Sequence, residues 1–272
     1  MSGAVHFPGR YAVTEGHLVH RGARLVFEDA GAGPLAVYAH GGFVSRAVED
    51  RMGLFDWRPV LDAGRRLVRY DARAHGGSTG GPSPGDYTYH SLADDLLALL
   101  AHLGADRPVD GMGASMGCGT LLHAALRAPE RFCRLVLLIP PTAWTTREAY
   151  ARANRRSADT VEQDGLDAWL AGRREPPPAV VADVPQFPPT PAEHVLPAVL
   201  CGLAQSDLPS PAELAGLRLP ALILAWVDDP GHPLSTARTL AGALPRAQLH
   251  VSATRADIRT WGQRAAEFLT TT

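Results

Sequence analysis

The stretch Val109-Asp110-Gly111-Met112-Gly113-Ala114-Ser115-Met116-Gly117 decides how the chain is read. A short apolar approach enters Gly-x-Ser-x-Gly with Ser115 at its centre, and a helix-compatible run, 118–127, follows. Strand, sharp turn and helix is the setting in which this pattern exposes a serine at the top of a sheet. Gly113 and Gly117 have no Cβ, so neighbouring chain can pass close to the turn. The serine oxygen then stands at a helix N-terminus, where backbone N–H groups favour developing negative charge. To act, such a serine needs a base, an orienting acid and donors for an oxyanion.

A chain of 272 residues suits one large α/β domain with room for an insertion. The formal net charge of −2 offers no attraction to nucleic acid or to an acidic membrane surface. All 26 basic residues are arginine, which excludes a Schiff-base lysine and a lysine base. Cys118, Cys133 and Cys201 are odd in number and widely spaced, as expected of reduced thiols. Residues 1–15 lack the basic segment and apolar core of a signal peptide, and no apolar run approaches the ~20 residues of a membrane span. A cytoplasmic location is expected, with a small-molecule substrate and neither nucleic acid nor membrane as partner. No metal-ligating cluster or dinucleotide fingerprint is visible, so no metal and no cofactor are expected.

Along the chain, 17–20 and 24–29 read as a hairpin turning at Arg21-Gly22-Ala23. Residues 35–39 form a continuous apolar run, as expected of a strand buried on both faces, and 66–70 read as the next strand. The first ends in His40-Gly41-Gly42-Phe43, the second in Asp71-Ala72-Arg73-Ala74-His75-Gly76-Gly77-Ser78. Between the two strands, 47–63 is mostly helix-compatible with Pro59 as an interruption, and after the second, 91–103 is an amphipathic helix. After the serine turn come a strand at 135–139, an irregular region, and strands at 221–227 and 248–252. Helices are expected at 234–244 and 257–269, the latter with Ile258, Trp261, Ala265 and Phe268 on one face. Alternation of this kind predicts an α/β fold, a mostly parallel twisted sheet with helices on both faces. The pattern breaks over 142–219: 149–157, 161–170 and 197–204 look helical, whereas 175–191 is crowded with proline. We read 142–219 as an inserted, partly helical cap on a core made of 1–141 and 220–272.

Four motifs then stand in order, each at an expected strand end: His40-Gly41-Gly42, Asp71-x-Arg73-x-His75-Gly76-x-Ser78, Gly113-Ala114-Ser115-Met116-Gly117 and Asp229-x-x-x-Pro233. From about His17 onward the chain resembles the α/β-hydrolase family, in its serine esterase and lipase-like branch. The resemblance implies that Ser115 is the nucleophile and that the Met116 N–H is one oxyanion donor. It implies a second donor from the loop after His40-Gly41, at Gly42 with Phe43 next, and Asp229 as the acid. His40 and His75 fall in motifs where the family uses histidine to shape loops.

The resemblance fails at the base. The family places a histidine in the loop after the last strand, where this chain reads Ala253-Thr254-Arg255-Ala256-Asp257. His250 lies within the expected strand, and no histidine follows it. Three readings stay open. His232, three residues after Asp229, can take the role with Asp229 or Asp257 orienting it, since a triad is defined by geometry and not by chain order. His194 of the expected cap can supply the base. Or the chain carries no acyl-enzyme chemistry, and binds a small molecule or catalyses a cyclase- or lyase-type step.

The intact serine turn favours a hydrolase of a small carboxylic ester, thioester or lactone, acting through an acyl-enzyme on Ser115. A serine at this position argues against epoxide or haloalkane hydrolysis, for which the family uses an aspartate. Phe43, Trp144 and His194 are the candidates for lining the substrate pocket.

Overall fold

The computed structural model describes residues 11–172 and 176–271, so the readings made for 1–10, for 173–175 and for residue 272 lie outside the described residues. Eight strands form one sheet: β1 (Val13–His20), β2 (Ala23–Ala30), β3 (Leu35–Ala39), β4 (Arg66–Tyr70), β5 (Val109–Ala114), β6 (Phe132–Leu138), β7 (Ala221–Trp226) and β8 (Ala247–Ser252). Their spatial order is β1-β2-β4-β3-β5-β6-β7-β8. The hairpin of β1 and β2 turns on Arg21 and Gly22, with φ of 46° and 73°. Positive φ at both central residues matches the twist of the strands. β2 joins β4 antiparallel, and every pairing from β4 to β8 is parallel.

Successive side chains of a strand point to opposite faces, and here each face meets its own core. Val37 of β3 and Ala221, Ile223 and Ala225 of β7 enter one cluster. Tyr38 and Leu222, Leu224 and Trp226 enter the other. The first core is closed by α3 (Tyr89–His102), α4 (Met116–Arg127) and α8 (Leu234–Ala243). The second is closed mainly by α2 (Arg58–Asp62) and α10 (Trp261–Thr270).

Two expected helices are each divided. Over 47–63 the chain forms α1 (Arg46–Met52) and then α2. Gly53 ends α1 with φ 58°, and Pro59 sits in the first turn of α2, where a missing N–H costs nothing. Over 257–269 it forms the short α9 (Arg255–Ile258), capped by Thr254, before α10. The apolar face foreseen for this region is buried as a unit: Ile258, Trp261, Ala265 and Phe268 all lie in the second core.

Between β6 and β7 run α5 (Arg147–Gly172), α6 (Leu196–Ala204) and α7 (Pro211–Leu214). The two helices expected at 149–157 and 161–170 form one element broken at Gly165, with φ 85° and ψ 172°. There Leu166 N donates to Glu193 Oε1 at 2.9 Å. Arg147 fixes the start of α5: its guanidinium donates to the carbonyls of Ser206 (2.7 Å), Leu203 (2.6 Å) and Thr142 (3.2 Å). Ala158, Val161 and Trp169 of α5 pack on Leu196 and Leu200 of α6, with Phe43 against them. Val199 and Leu203 of α6 join the first core, so this segment is continuous with the sheet domain. The chain emerging from β3, β4, β5 and β7 does so at one edge of the sheet, bringing His40, Asp71, Ser115 and Asp229 to the end where open α/β sheets bind ligands.

Candidate active site

Ser115 links β5 to α4 with φ 50° and ψ −109°, a conformation that costs an L-residue about 1–3 kcal/mol. The surroundings hold it there: Ser115 N donates to Leu138 O and Cys118 N to Ser115 O, both at 2.9 Å. The two glycines of the motif are sterically required. A Cβ on Gly117 would overlap the Ala39 carbonyl oxygen, and one on Gly113 would lie 2.6 Å from the Gly117 carbonyl oxygen.

The loop after β7 brings two side chains to Ser115. His232 Nε2 lies 2.8 Å from Ser115 Oγ, and His232 Nδ1 lies 2.7 Å from Asp229 Oδ2. A carboxylate can only accept, so Nδ1 carries the proton and Nε2 presents its lone pair to the serine hydroxyl. Asp229 Oδ1 accepts from Gly231 N (2.8 Å) and His232 N (3.3 Å), and Oδ2 also accepts from Trp226 Nε1 (2.7 Å). Burial pulls the Asp229 carboxyl up, but it is outweighed by the hydrogen bond and charge of His232 together with the Trp226 and Gly231 donors. The net result is a carboxyl held down at about 2. The loop itself is stiff: Asp228 takes φ 60°, Pro230 and Pro233 bracket the turn, and Thr142 N donates to Gly231 O at 3.1 Å. This arrangement can take a proton from Ser115 and hold the resulting imidazolium against a fixed carboxylate.

Opposite the serine, the loop after β3 is set by two buried histidines. His40 Nδ1 donates to Gly41 O at 2.6 Å, and its Nε2 accepts from Ala72 N at 2.9 Å. His75 Nδ1 donates to Arg73 O at 2.8 Å, and its Nε2 accepts from Phe43 N at 3.2 Å. Burial drives both below the usual histidine range, His75 to about 3, so each is a neutral ring with a defined tautomer. The Phe43 amide, expected as an alternative oxyanion donor, is therefore already spent on His75. Among the described residues, the amides of Gly42 and Met116 have no such partner. They are neighbours: a Cβ on Gly42 would lie 3.9 Å from Met116 Cβ, and one on Gly41 would lie 3.7 Å from Ser115 Cβ. Phe43, with φ 66°, turns its ring against the α5–α6 cluster.

The remaining expected residues lie differently. Asp257 is not joined to His232: it accepts from His250 Nε2 at 2.9 Å and pairs with Arg264 at 3.3 Å. The reason is local, because Thr254 caps α9 and directs Asp257 back along its own strand. His194 is exposed in the turn before α6. Trp144 is half-buried, with Nε1 donating to Pro209 O at 3.1 Å and its amide to Asp207, so its polar edge is tied to the chain after α6.

Two side chains at the site carried no sequence motif. Trp226 ends β7 and bonds Asp229. Glu49 of α1 is buried behind the β3 loop, accepting on Oε1 from Tyr38 Oη (3.1 Å) and Gly41 N (3.4 Å) while Oε2 has no partner. Burial raises its carboxyl to about 7, against the opposing pull of the Tyr38 hydrogen bond and the Arg69 charge. A signal existed only for Trp226, as an aromatic closing an apolar strand three residues before an aspartate. Among the described residues no cluster of three or more His, Cys, Asp or Glu side chains could hold a metal ion, and no helix is long and apolar enough to cross a membrane.

Comparison with known proteins gives a consistent picture. The model of a family described as alpha/beta hydrolase fold matches residues 37–255. A Klebsiella pneumoniae protein provisionally named carbamate hydrolase RutD is 29% identical over 204 residues, covering 70% of this chain and 74% of that protein. A Rhizobium rhizogenes protein of the same name is 33% identical over 118 residues, and there the match spans only 43% of the relative's length. Among solved structures, the enol-lactonase from Burkholderia xenovorans superposes with a TM-score of 0.75 at 22% identity, covering 94% of this chain and 100% of that one. A thermophilic esterase from Thermogutta terrifontis gives 0.74 at 22% identity, covering 96% and 97%.

Proposed function

The chain belongs to the α/β-hydrolase family, and we propose that it is a serine hydrolase cleaving small carboxylic esters, thioesters or lactones through an acyl-enzyme on Ser115. The observation that carries this reading is the continuous contact Ser115 Oγ–His232 Nε2–Nδ1–Asp229 Oδ2, at 2.8 and 2.7 Å. In it, His232 Nε2 takes the hydroxyl proton as Ser115 Oγ attacks the substrate carbonyl. Asp229 keeps the proton-bearing nitrogen turned away from the serine and stabilises the imidazolium. The tetrahedral oxyanion is received by the free amides of Met116 and Gly42; losing one donor of this kind costs ~10²–10³ in rate. His232 then returns the proton to the leaving alcohol or thiol. Water, deprotonated by the same ring, opens the acyl-enzyme.

Residues 142–219 act in this reading as a cap on the core of 1–141 and 220–272, with Phe43 and the α5–α6 cluster giving an apolar wall for the acyl group. The relatives named carbamate hydrolase add one alternative carbonyl, a carbamate, open to the same attack. The test is a panel of p-nitrophenyl acetate, p-nitrophenyl butyrate, a γ-lactone and an aryl carbamate, with a fluorophosphonate probe alongside. Labelling of wild type at Ser115, lost in Ser115→Ala, supports the reading. Absence of both labelling and turnover overturns it, and the preferred substrate separates ester from carbamate.

A further inference from the structure

Trp226 shares a carboxylate oxygen with the proposed base. Its Nε1 donates to Asp229 Oδ2 at 2.7 Å, the same atom that accepts from His232 Nδ1 at 2.7 Å. With Gly231 N and His232 N on Oδ1, the carboxylate accepts four hydrogen bonds, about its full capacity. A carboxylate so filled cannot rotate without breaking one of them. The Trp226 indole also meets the His232 ring edge-on, at 6.1 Å between centroids and 88° between planes.

The indole is itself held from behind. Trp226 stacks on Trp261 of α10 (5.8 Å, 19°), and Trp261 stacks on Phe55 (5.8 Å, 12°). Trp261 Nε1 is occupied by Ser252 Oγ at 2.8 Å, so the two stacked indoles direct their N–H groups to different acceptors. Trp226 is 4% exposed and Trp261 is fully buried, leaving neither ring space to turn. The other acidic group of this loop, Asp228, is exposed, and the two groups stacked here, Trp226 of β7 and Trp261 of α10, carry no charge.

We propose that Trp226 is a positioning residue of the Ser115–His232–Asp229 relay, fixing the Asp229 carboxylate through its indole N–H and moderating how strongly that carboxylate attracts the His232 proton. The proposal rests on the hydrolase reading above. Two donors on one oxygen divide its negative charge. Without the indole N–H, Oδ2 draws the His232 Nδ1 proton more strongly, so the imidazole becomes more basic while the carboxylate loses its fixed plane.

Two variants separate positioning from packing. Trp226→Phe keeps an aromatic ring in the stack and removes the N–H to Asp229. Trp261→Phe removes an indole from the same stack and leaves that bond intact. With p-nitrophenyl acetate, Trp226→Phe is expected to lower kcat by about tenfold or more with KM within about twofold, as for loss of one hydrogen bond to a charged group. The acid limb of its kcat/KM profile should move to higher pH, and the low-field His232 Nδ1–H proton resonance should move further downfield. Trp261→Phe should leave both the limb and the resonance in place, whatever it does to thermal stability. If the two variants change activity equally, and neither the pH limb nor the resonance moves in Trp226→Phe, the proposal is overturned. If wild type fails to label with fluorophosphonate, it is the hydrolase reading that falls, while the resonance still reports on the indole bond.

Discussion

His232 and Asp229 stand three residues apart on one loop, with 2.7 Å between Nδ1 and Oδ2. The family pattern puts acid and base on separate loops after successive strands; here a single turn after β7 carries both residues proposed for these roles. Replacing His232 with Ala should lower kcat for p-nitrophenyl acetate by at least about 10⁴-fold, since serine and base act as a unit. His250→Ala, which loses only the pairing with Asp257, should stay within about twofold of wild type. Equal losses in the two variants would exclude His232 as the base.

Asp229→Asn keeps the shape of the turn but offers an N–H where the imidazole presents its own proton. A fall in kcat of about 10³–10⁴ is expected, with Ser115 still correctly placed in the structure of the variant. The change also has a signature in stability. The native carboxyl lies at about 2, against an ordinary value of 3.8. Its contribution, on the order of 2 kcal/mol, is therefore complete above about pH 4 and lost as pH falls through about 2. Acid unfolding of wild type and variant should converge toward pH 2.

Glu49 behaves in the opposite sense. Burial raises its carboxyl from 4.5 to about 7, so the unfolded chain gives up this proton more readily than the native one. Native stability should decline between about pH 4.5 and 7 and level off above. Glu49→Gln cannot ionise, so its melting temperature relative to wild type should be near zero difference at pH 5 and several degrees higher at pH 8, for a penalty of up to about 3 kcal/mol. A difference independent of pH would show that Glu49 does not titrate in this range.

Gly117→Ala tests the steric requirement of the serine turn. Its Cβ would overlap the Ala39 carbonyl oxygen, a backbone atom of β3 that cannot move without disturbing the sheet. Destabilisation by at least about 1–3 kcal/mol is expected, read as a lowered urea midpoint, together with loss of fluorophosphonate labelling. An unchanged midpoint would mean that the turn is more compliant than its contacts imply.

Much of the sheet is legible because strands buried on both faces write continuous apolar runs. β3 occupies the residues read for it, β4 does so although Arg66 and Arg69 interrupt its apolar residues, and the hairpin forms at Arg21-Gly22. Divisions within helices are less legible: Gly53 and Thr254 act through capping geometry that a run of apolar residues does not reveal. In the site, the serine turn is explicit in the sequence, but the base is not: His232, His194 or none at all stay open there. Which loop bends toward Ser115 depends on contacts such as Thr142 N to Gly231 O, between residues far apart in sequence. The same holds for Phe43, whose amide is claimed by a histidine 32 positions away, leaving Gly42 free. Asp257 looked like a partner for His232 because it follows the last strand. Its own partner, His250, lies seven residues earlier on that strand.

The compact loop from Asp229 to His232 has a consequence for assembly. Bringing together two groups from distant segments costs loop-closure entropy that grows with the chain between them. Here the intervening chain is two residues, one a proline and one a glycine, so Asp229 and His232 meet as soon as β7 and its exit turn are formed. Everything C-terminal to α8 then enters the relay only as a backing wall. That wall is structural: Trp261, Ala265 and Leu269 of α10 are buried in the second core, so loosening it would weaken the fold behind the turn without removing either member of the pair.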